Sequence, residues 1–460
     1  MEADVKFHLR GAVAVGLAAA LALTGCSPGS VQSGGASDTL TMSLAAPVDT
    51  MDPTVAYQTG SFAVLANIFQ TLVTLDPKGG IVPGLATEYD IDPQQRTIEF
   101  TLDPEAKFSN GTPVTAADVA FSVDLWKESA SYGSWYSSIA SVSMPDPHTA
   151  VLHLTSTGVA VLRVLAIGTA SVIPQDFAGM SREEFFAKPI GSGPYAVESA
   201  RLSEAIVVTA NPDYSGRDNV FFKTVEFNVV PDANQRQVQF RSKQLDIVSE
   251  ISPIDAAQYP PETLKRSPSF WQDLLIANAR DDVLSSVELR RAISMAIDRE
   301  ALVATVYKGE ADSATTVAPQ VVPGVTACQT CDWGRYDVEE AKRLVSQSGY
   351  TGQPITILTG GGSTDLAGQA LVPMLQAAGI TATVEKIEGA TQTDRLTKGE
   401  YELALIENTA LAPTPLDPVG FLADTENYYA GDDSPAARTA VQMLDSAQNE
   451  AELQARKSVL

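Results

Sequence analysis

The sequence predicts a mixed α/β protein of two or more domains, strand-rich in its first half and α/β in its second. Three observations predict it. The chain has 460 residues, more than one hydrophobic core accommodates. Short runs that alternate polar with apolar residues, such as Thr97-Ile-Glu-Phe-Thr-Leu102, recur through the first half. In the second half, Ile355-Thr-Ile-Leu358, a helical stretch from Asp365 to about Ala378, and Ile380-Thr-Ala-Thr-Val384 read as one βαβ unit. Such a unit implies a partly parallel sheet.

The elements follow in order. The first strand-like run, Thr39-Leu-Thr-Met-Ser-Leu44, begins only after a Gly/Ser-rich stretch. Further strands are expected at Ala150-Val-Leu-His-Leu154, Ala205-Ile-Val-Val-Thr209 and Thr224-Val-Glu-Phe-Asn-Val-Val230. Asn110-Gly111, after Lys107-Phe108, reads as a tight turn. Helices announce themselves by caps. Thr115, with Asp118 three residues on, opens one whose inner face is Val119, Val123 and Trp126. Ser286 opens another with Leu289, Ala292, Ile293, Ala296 and Ile297 at core spacing, and Asp298 caps the segment through Leu302 and Val303. Asp337 with Glu340 starts a helix that buries Ala341, Leu344 and Val345 and is closed by Gly349.

Composition narrows the function. Hydrophobic residues make up 44% and charged residues 19%, which are globular values, so the net charge of −25 serves solubility. A chain this acidic lacks the basic face that nucleic acid requires. Its body is not drawn to anionic lipid either. The N-terminus reads differently. Lys6 and Arg10 precede an uncharged apolar run from Gly11 to Leu23, followed by Thr24-Gly25-Cys26. That is the layout of a secretory signal, and the run is shorter than the ~20 residues that span a bilayer. Its end resembles a bacterial lipobox, which makes Cys26 the lipidated first residue of the mature chain; an ordinary cleaved signal is the alternative. Residues 27–38 then form a flexible tether.

Chemistry is sparse. In an exported chain the leading reading of Cys328 and Cys331 is a local disulfide, with free thiols and a metal or redox role as the alternatives. Zinc would need two further ligands, and the histidines are only His8, His148 and His153. No nucleophile elbow, phosphate loop or zinc-protease motif is present. Gly191-x-Gly193-x-x-Ala196 is interrupted by Pro194, and Asp281 and Asp282 are adjacent rather than facing. The chain is therefore expected to be no enzyme and to need no cofactor or metal. A hydrolase resting on carboxylates alone is the enzymatic alternative.

Several stretches, in order, resemble one family. They include Met51-Asp-Pro-Thr-Val-Ala-Tyr57, Asn67-Ile-Phe-Gln-Thr-Leu72, Val82-Pro-Gly-Leu-Ala86 and Phe108-Ser-Asn-Gly-Thr-Pro-Val-Thr-Ala-Ala-Asp-Val-Ala-Phe-Ser122. Ile190-Gly-Ser-Gly-Pro-Tyr195, Asn211-Pro-Asp-Tyr214, Gln244-Leu-Asp-Ile247 and Leu289-Arg-Arg-Ala-Ile-Ser-Met-Ala-Ile-Asp-Arg-Glu300 continue the series. The chain resembles the extracytoplasmic solute-binding proteins of ATP-driven importers, in the peptide, nickel and oligosaccharide group. The resemblance implies a two-lobed periplasmic-binding-protein-like fold with a strand-rich extra subdomain and crossover hinges between the lobes. Carried onto this chain, residues 1–26 are the signal, 27–38 the tether, 39–268 lobe I with a subdomain near 62–188, and 269–440 lobe II. Residues 441–460 would begin the return to lobe I, and the sequence stops there inside a helical pattern, so either a truncated chain or a differently closed lobe I is expected.

The resemblance also implies a site in the cleft between lobes. The candidates are Tyr57, Gln58 and Thr59 in the first loop, Trp271 at the crossover, and Asn408, Thr414 and Asp417 in lobe II. Aromatic side chains suit ligand faces because they bury large areas. Trp271 reads equally as a packed hinge residue, Tyr57 also as a surface-loop residue, and Asp417 more simply as a turn residue beside Pro418. Relatives that bind peptides hold the ligand amine with an aspartate where this chain has Thr414, and 359–365 carries no arginine for a ligand carboxylate. Free dipeptides are therefore disfavoured against longer or modified peptides, because a buried charge without its partner is costly. Oligosaccharide or nickel-complex binding, and a sensing lipoprotein not coupled to transport, are the alternatives. The expected partners are the ligand, an ABC permease with its ATPase, and the membrane through Cys26. The protein should be an extracytoplasmic monomer with no nucleic-acid partner.

Overall fold

The computed structural model describes residues 38–409, other than 78, 156–159, 268, 315, 317, 320, 323–324, 326–333 and 388–389. The chain enters through β1 (Thr39–Leu44) and, after a loop, α1 (Thr59–Ile68). A short ribbon of β2 (Val73–Leu75) and β3 (Ile81–Pro83) leads to β4 (Ala86–Asp92) and β5 (Thr97–Leu102). The alternation in β5 does what period two requires: Ile98, Phe100 and Leu102 face inward, and Glu99 and Thr101 outward. Next come α2 (Ala116–Glu128), β6 (Ile139–Asp146) and β7 (Thr149–Leu154). Strands β4-β5-β7-β6 form an antiparallel sheet. Its inner face and α2 enclose a core of its own around Phe100, Phe108, Trp126 and Tyr136, each 0–1% exposed.

The chain then passes α3 (Ala160–Val164) and α4 (Arg182–Ala187) into β8 (Tyr195–Arg201), β9 (Ala205–Ala210) and β10 (Thr224–Val229), followed by α5 (Ala233–Arg241) and β11 (Ile247–Val248). The sheet order is β11-β1-β10-β9-β8, with β1 parallel to both β10 and β11. A second apolar core lies against it, with Leu44, Met51, Ile68, Phe185 and Phe227 buried. A Cβ on Gly191 would lie 2.0 Å from the Ile68 carbonyl oxygen, so the chain passes against the end of α1 where only glycine fits.

Residues 249–270 cross to a second set of elements. These are β12 (Trp271–Ala277), α6 (Val287–Ala296), α7 (Arg299–Thr305), α8 (Val338–Gln347), β13 (Ile355–Thr359), α9 (Gly362–Ala377), β14 (Ala382–Lys386), α10 (Ala390–Lys398) and β15 (Leu403–Thr409). The sheet order is β12-β15-β13-β14, with β13 parallel to β14 and β15, and β12 antiparallel to β15. Strict alternation sorts its two faces. Leu403, Leu405, Ile355 and Ile357 pack with α6, α8 and α9, whereas Ala404, Ile406, Ile276 and Leu358 pack with Leu396 of α10. The apolar cores on the two sides of the crossover share no residue, as a two-lobed α/β architecture requires.

Local chemistry sets the helix starts. The Asp118 carboxylate accepts the Thr115 backbone N–H at 2.7 Å and its hydroxyl at 2.8 Å. Ser286 accepts from the Leu289 N–H, Asp298 from Ala301 and Asp337 from Glu340. Each such cap contributes about 1 kcal/mol. Gly349, with φ +79°, lies just past the end of α8. Helix α9 begins at Gly362, earlier than its pattern suggested, because Gly361 (φ +96°) turns the chain directly off β13. Among the described residues no helix is long and apolar enough to cross a membrane.

Candidate functional site

In open α/β sheets, ligands meet the crevice beyond the carboxyl ends of the parallel strands. This chain has two such edges. The first lies beyond β1, β10 and β11, the second beyond β13, β14 and β15. The crossover leaves the carboxyl end of β11 and enters β12, whose first residue pairs with the last residue of β15. Residues 249–270 therefore run from one carboxyl edge to the other.

Tyr57, Gln58 and Thr59 stand on the first edge, where β1 gives way to α1. The Tyr57 N–H donates to Asp49 Oδ2 at 3.0 Å, and the Gln58 carbonyl accepts the Ser61 N–H at 3.0 Å. The Thr59 hydroxyl donates to Glu250, near the start of the crossover. Glu250 has φ +55°, a conformation costly for a residue with a Cβ. Tyr57 is 66% exposed.

Trp271 and Asn408 stand on the second edge. In the register of β12 with β15, Trp271 faces Thr409, Gln272 faces Asn408 and Asp273 faces Glu407. Trp271 is 46% exposed and so is not a packed hinge residue. The Tyr307 hydroxyl donates to Asp273, yet burial outweighs that bond and pushes the Asp273 carboxyl above its ordinary range. Glu407 is also pushed up, first by desolvation and then by the charge of Asp273, while the Ser363 hydroxyl bond at 2.9 Å opposes the shift. Glu407 is exposed whereas Asp273 is half-buried, so the shift of Glu407 is the more screened of the two. Burial and the neighbouring Asp273 charge push the Tyr307 phenol upward too.

Beside this pair lies a cleft of about 310 Å³, lined by Gly360, Gly361, Thr364, Gln392, Glu407 and Asn408. A Cβ on Gly360 would come within 2.7 Å of Gln392 Oε1, so glycine lets that amide close over the backbone. Among the described residues, Gln392 Nε2 is buried without a hydrogen-bond partner. The glycine loop at 360–362 adjoins a carboxylate of the chain itself, since Ser363 in the first turn of α9 bonds Glu407. The arrangement offers a ligand acceptors, amides and exposed rings. A larger cleft of about 620 Å³ sits at the opposite, amino edge of the same sheet. Charged groups lining it are engaged locally: Arg395 with Glu385 at 2.9 Å, Lys398 with Asp394 at 2.7 Å, and Glu402 with the Thr356 N–H at 2.6 Å.

Thr414 and Asp417 lie outside the described residues, as do Cys26, Cys328 and Cys331. His153 bonds the Ser143 hydroxyl at 2.8 Å on the β6–β7 hairpin, away from both edges. Among the described residues no group of three or more His, Cys, Asp or Glu side chains could hold a metal ion. Sequence reasoning passed over Glu250, Asp273, Glu407 and Gln392. The available signal was an acid at the end of an apolar strand: Asp273 before Leu274-Leu-Ile276, and Glu407 after Leu403-Ala-Leu-Ile406.

Residues 80–430 match the model for bacterial extracellular solute-binding proteins, family 5 (middle). The probable D,D-dipeptide-binding periplasmic protein DdpA of Escherichia coli K12 is 27% identical, over 80% of this chain and 74% of its own length. A putative ABC transporter peptide-binding protein of Brucella ovis is 30% identical, over 65% of this chain and 59% of its own length. Among solved structures, NikA from Brucella suis in complex with Fe(III)-EDTA superposes with a TM-score of 0.79 at 21% identity, covering 92% of this chain and 91% of that one. Haemophilus influenzae OppA in complex with RPPGFSPFR superposes with a TM-score of 0.75 at 21% identity, covering 92% and 90%. Two sheets with separate cores, joined carboxyl edge to carboxyl edge by the crossover, and a family match over most of the length lead to one conclusion: the chain belongs to the family 5 extracytoplasmic solute-binding proteins, non-catalytic receptors of ABC importers.

Proposed function

We propose that this receptor captures peptides, longer or modified ones rather than free dipeptides, between the two carboxyl edges and delivers them to a membrane permease. One observation carries the reading. Each edge presents an exposed aromatic residue, Tyr57 on one and Trp271 on the other, and the crossover joins those two edges directly. Rings that lie open beside amide and carboxylate groups suit a peptide, which offers both apolar side chains and backbone donors. The second edge bears acceptors. Residues 359–366 and 403–409 include Asp365 and Glu407 and no Lys or Arg, and Lys386 ends β14 on the far side of the sheet from β12, so a ligand carboxylate buried beside Glu407 and Asn408 would lack a counter-charge there. Ligand donors would instead meet Asp273, Glu407 and Asn408, which offsets the missing aspartate at Thr414. Peptide-binding names among the relatives support the ligand class.

The lobes of this proposal are residues 39–268 and 269–440, closing by hinge motion about the crossover, with ligand favouring the closed form through its differential affinity. In this reading Thr414 and Asp417 are further ligand contacts. Cys26 anchors the chain to the membrane through lipid, and Cys328 with Cys331 closes a local disulfide loop. The deciding experiment is thermal unfolding of a soluble version beginning at Asp38 against dipeptides, longer peptides, oligosaccharides and nickel. A ligand at ~100 times its Kd adds ~2.7 kcal/mol of stability. A shift with longer peptides alone is expected. A shift with dipeptides would overturn the counter-charge argument, and one with only sugars or nickel would overturn the peptide reading.

A further inference from the structure

Tyr57 is an exposed side chain on an unusually buried loop. Met51, Asp52, Thr54 and Ala56 are 2%, 5%, 1% and 0% exposed, whereas Tyr57 is 66% exposed. Two neighbours from the strand-rich subdomain hold the loop's carbonyls: the Ser129 hydroxyl donates to Thr54 O at 2.5 Å and the Tyr132 hydroxyl to Ala56 O at 2.6 Å. Arg182, the first residue of α4, holds the loop's side chains. Its Nε and Nη2 donate to Asp52 Oδ2 at 2.9 and 2.7 Å, and Nη2 also donates to Thr54 Oγ1 at 2.7 Å. Asp52 Oδ1 accepts the Thr54 N–H and hydroxyl at 2.9 and 2.8 Å, so Asp52, Thr54 and Arg182 form one closed network.

The position of Arg182 is itself set by strain. Asp176, Phe177, Ala178 and Gly179 have φ of +49°, +52°, +54° and +84°, a left-handed turn in which three residues carry a Cβ. Such a turn persists only where its surroundings hold it. Here the Gln175 N–H donates to Asp118 at 2.8 Å, and the Phe177 ring packs edge-on to Phe121 at 5.1 Å. A capping box at Ser181 and Glu184 then starts α4, and its first residue reaches Asp52.

We propose that Arg182 is the positioning residue for Tyr57: delivered by the left-handed turn, its guanidinium fixes Asp52 and Thr54 so that Tyr57 meets the ligand in one orientation. This rests on the reading of Tyr57 as a ligand contact. Lysine keeps the charge but cannot grip a carboxylate and a hydroxyl with a planar fork. Arg182→Lys should therefore leave the unfolding midpoint nearly unchanged while loosening the loop. Amide exchange in the ligand-free protein should accelerate about tenfold at residues 54–57 and stay unchanged in β5 and β7. With RPPGFSPFR and tri-alanine as probes, Arg182→Lys should weaken binding about tenfold, and should weaken it no further in a Tyr57→Ala background.

Unchanged exchange at 54–57, or equal acceleration throughout the first sheet, overturns the proposal. An additive loss in the double variant overturns it too, since Arg182 would then act apart from Tyr57. If exchange accelerates locally but Tyr57→Ala binds both probes like the parent, the failure lies in the ligand reading of Tyr57, and the proposal falls with it.

Discussion

Asp273 and Glu407 lie directly opposite each other on antiparallel β12 and β15, two carboxylates paired across the edge of one sheet. Like charges in that relation destabilise a sheet. The groups that hold them are neutral donors: Tyr307 for Asp273, and Ser363 for Glu407. Burial pushes both carboxyls upward. A carboxyl whose folded value is raised is disfavoured in its charged form, so its contribution is most favourable below the ordinary carboxylate range. Stability is then lost as pH rises from that range through the raised folded value.

At neutral pH Asp273→Asn should therefore stabilise the protein, by about 0.5–1 kcal/mol, because an amide keeps an acceptor for Tyr307 without a charge. Glu407→Gln should act in the same direction and more weakly. The advantage should vanish below about pH 3, where the parent carboxyls are protonated in both states. Unfolding midpoints of parent and variants from pH 3 to pH 8 check this. An Asp273→Asn protein less stable than the parent at pH 7 would contradict the burial argument.

Trp271 and Tyr57 are 46% and 66% exposed, so shortening either removes little packing. Trp271→Ala and Tyr57→Ala should leave the unfolding midpoint close to that of the parent. If these rings stack on ligand, each should weaken peptide binding by about 1–2 kcal/mol, the scale of an aromatic anchor. Calorimetric titration paired with thermal unfolding separates the two effects. A large fall in midpoint would assign the ring to the fold instead.

Gly191 and Gly309 separate two reasons for glycine. A Cβ on Gly191 would sit 2.0 Å from the Ile68 carbonyl oxygen, and backbone atoms cannot give way cheaply. Gly191→Ala should cost on the order of 3 kcal/mol or prevent folding. Gly309 has φ +80° with nothing within 4 Å of its Cβ position, so Gly309→Ala meets only the left-handed penalty, about 1 kcal/mol. Denaturant unfolding of both variants tests the order, and equal costs would show that the approach to Ile68 relaxes.

Asp118 does two jobs from a 7% exposed position. One oxygen accepts the Thr115 N–H and hydroxyl, and the other accepts the Gln175 N–H at 2.8 Å. Asp118→Ala removes a helix cap and strands the Gln175 donor, and should cost about 2–3 kcal/mol. Thr115→Ala, which leaves the Gln175 bond intact, should cost about 1 kcal/mol. Chemical denaturation of the two variants gives the difference directly.

Local features of this fold were legible because their causes are local. Thr115, Ser286, Asp298 and Asp337 open helices through bonds that span a single turn; the strands beginning at Thr39, Thr97 and Thr224 follow from alternation, and the one at Ala205 from its β-branched run. The start of α9 was misplaced because Gly361 and Gly362 hold positive φ, a permission that glycine grants without requiring it. At the candidate site, Tyr57 could be singled out as an aromatic in a matched stretch and Trp271 as one at the expected crossover. Asp273, Glu407 and Glu250 could not, since nothing near them in sequence says what faces them.

By itself the sequence determined the family, the mixed α/β class, the helix caps and the acidic, cation-poor character of the segments at the second edge. Tertiary structure alone decided that Asp273 meets Glu407, that Arg182 reaches Asp52, and that the crossover links one carboxyl edge to the other. The physical reason is range. Caps and periodicities act over one turn or one pleat, whereas register and side-chain networks depend on which distant segments bury their apolar faces together, and only the packed cores settle that.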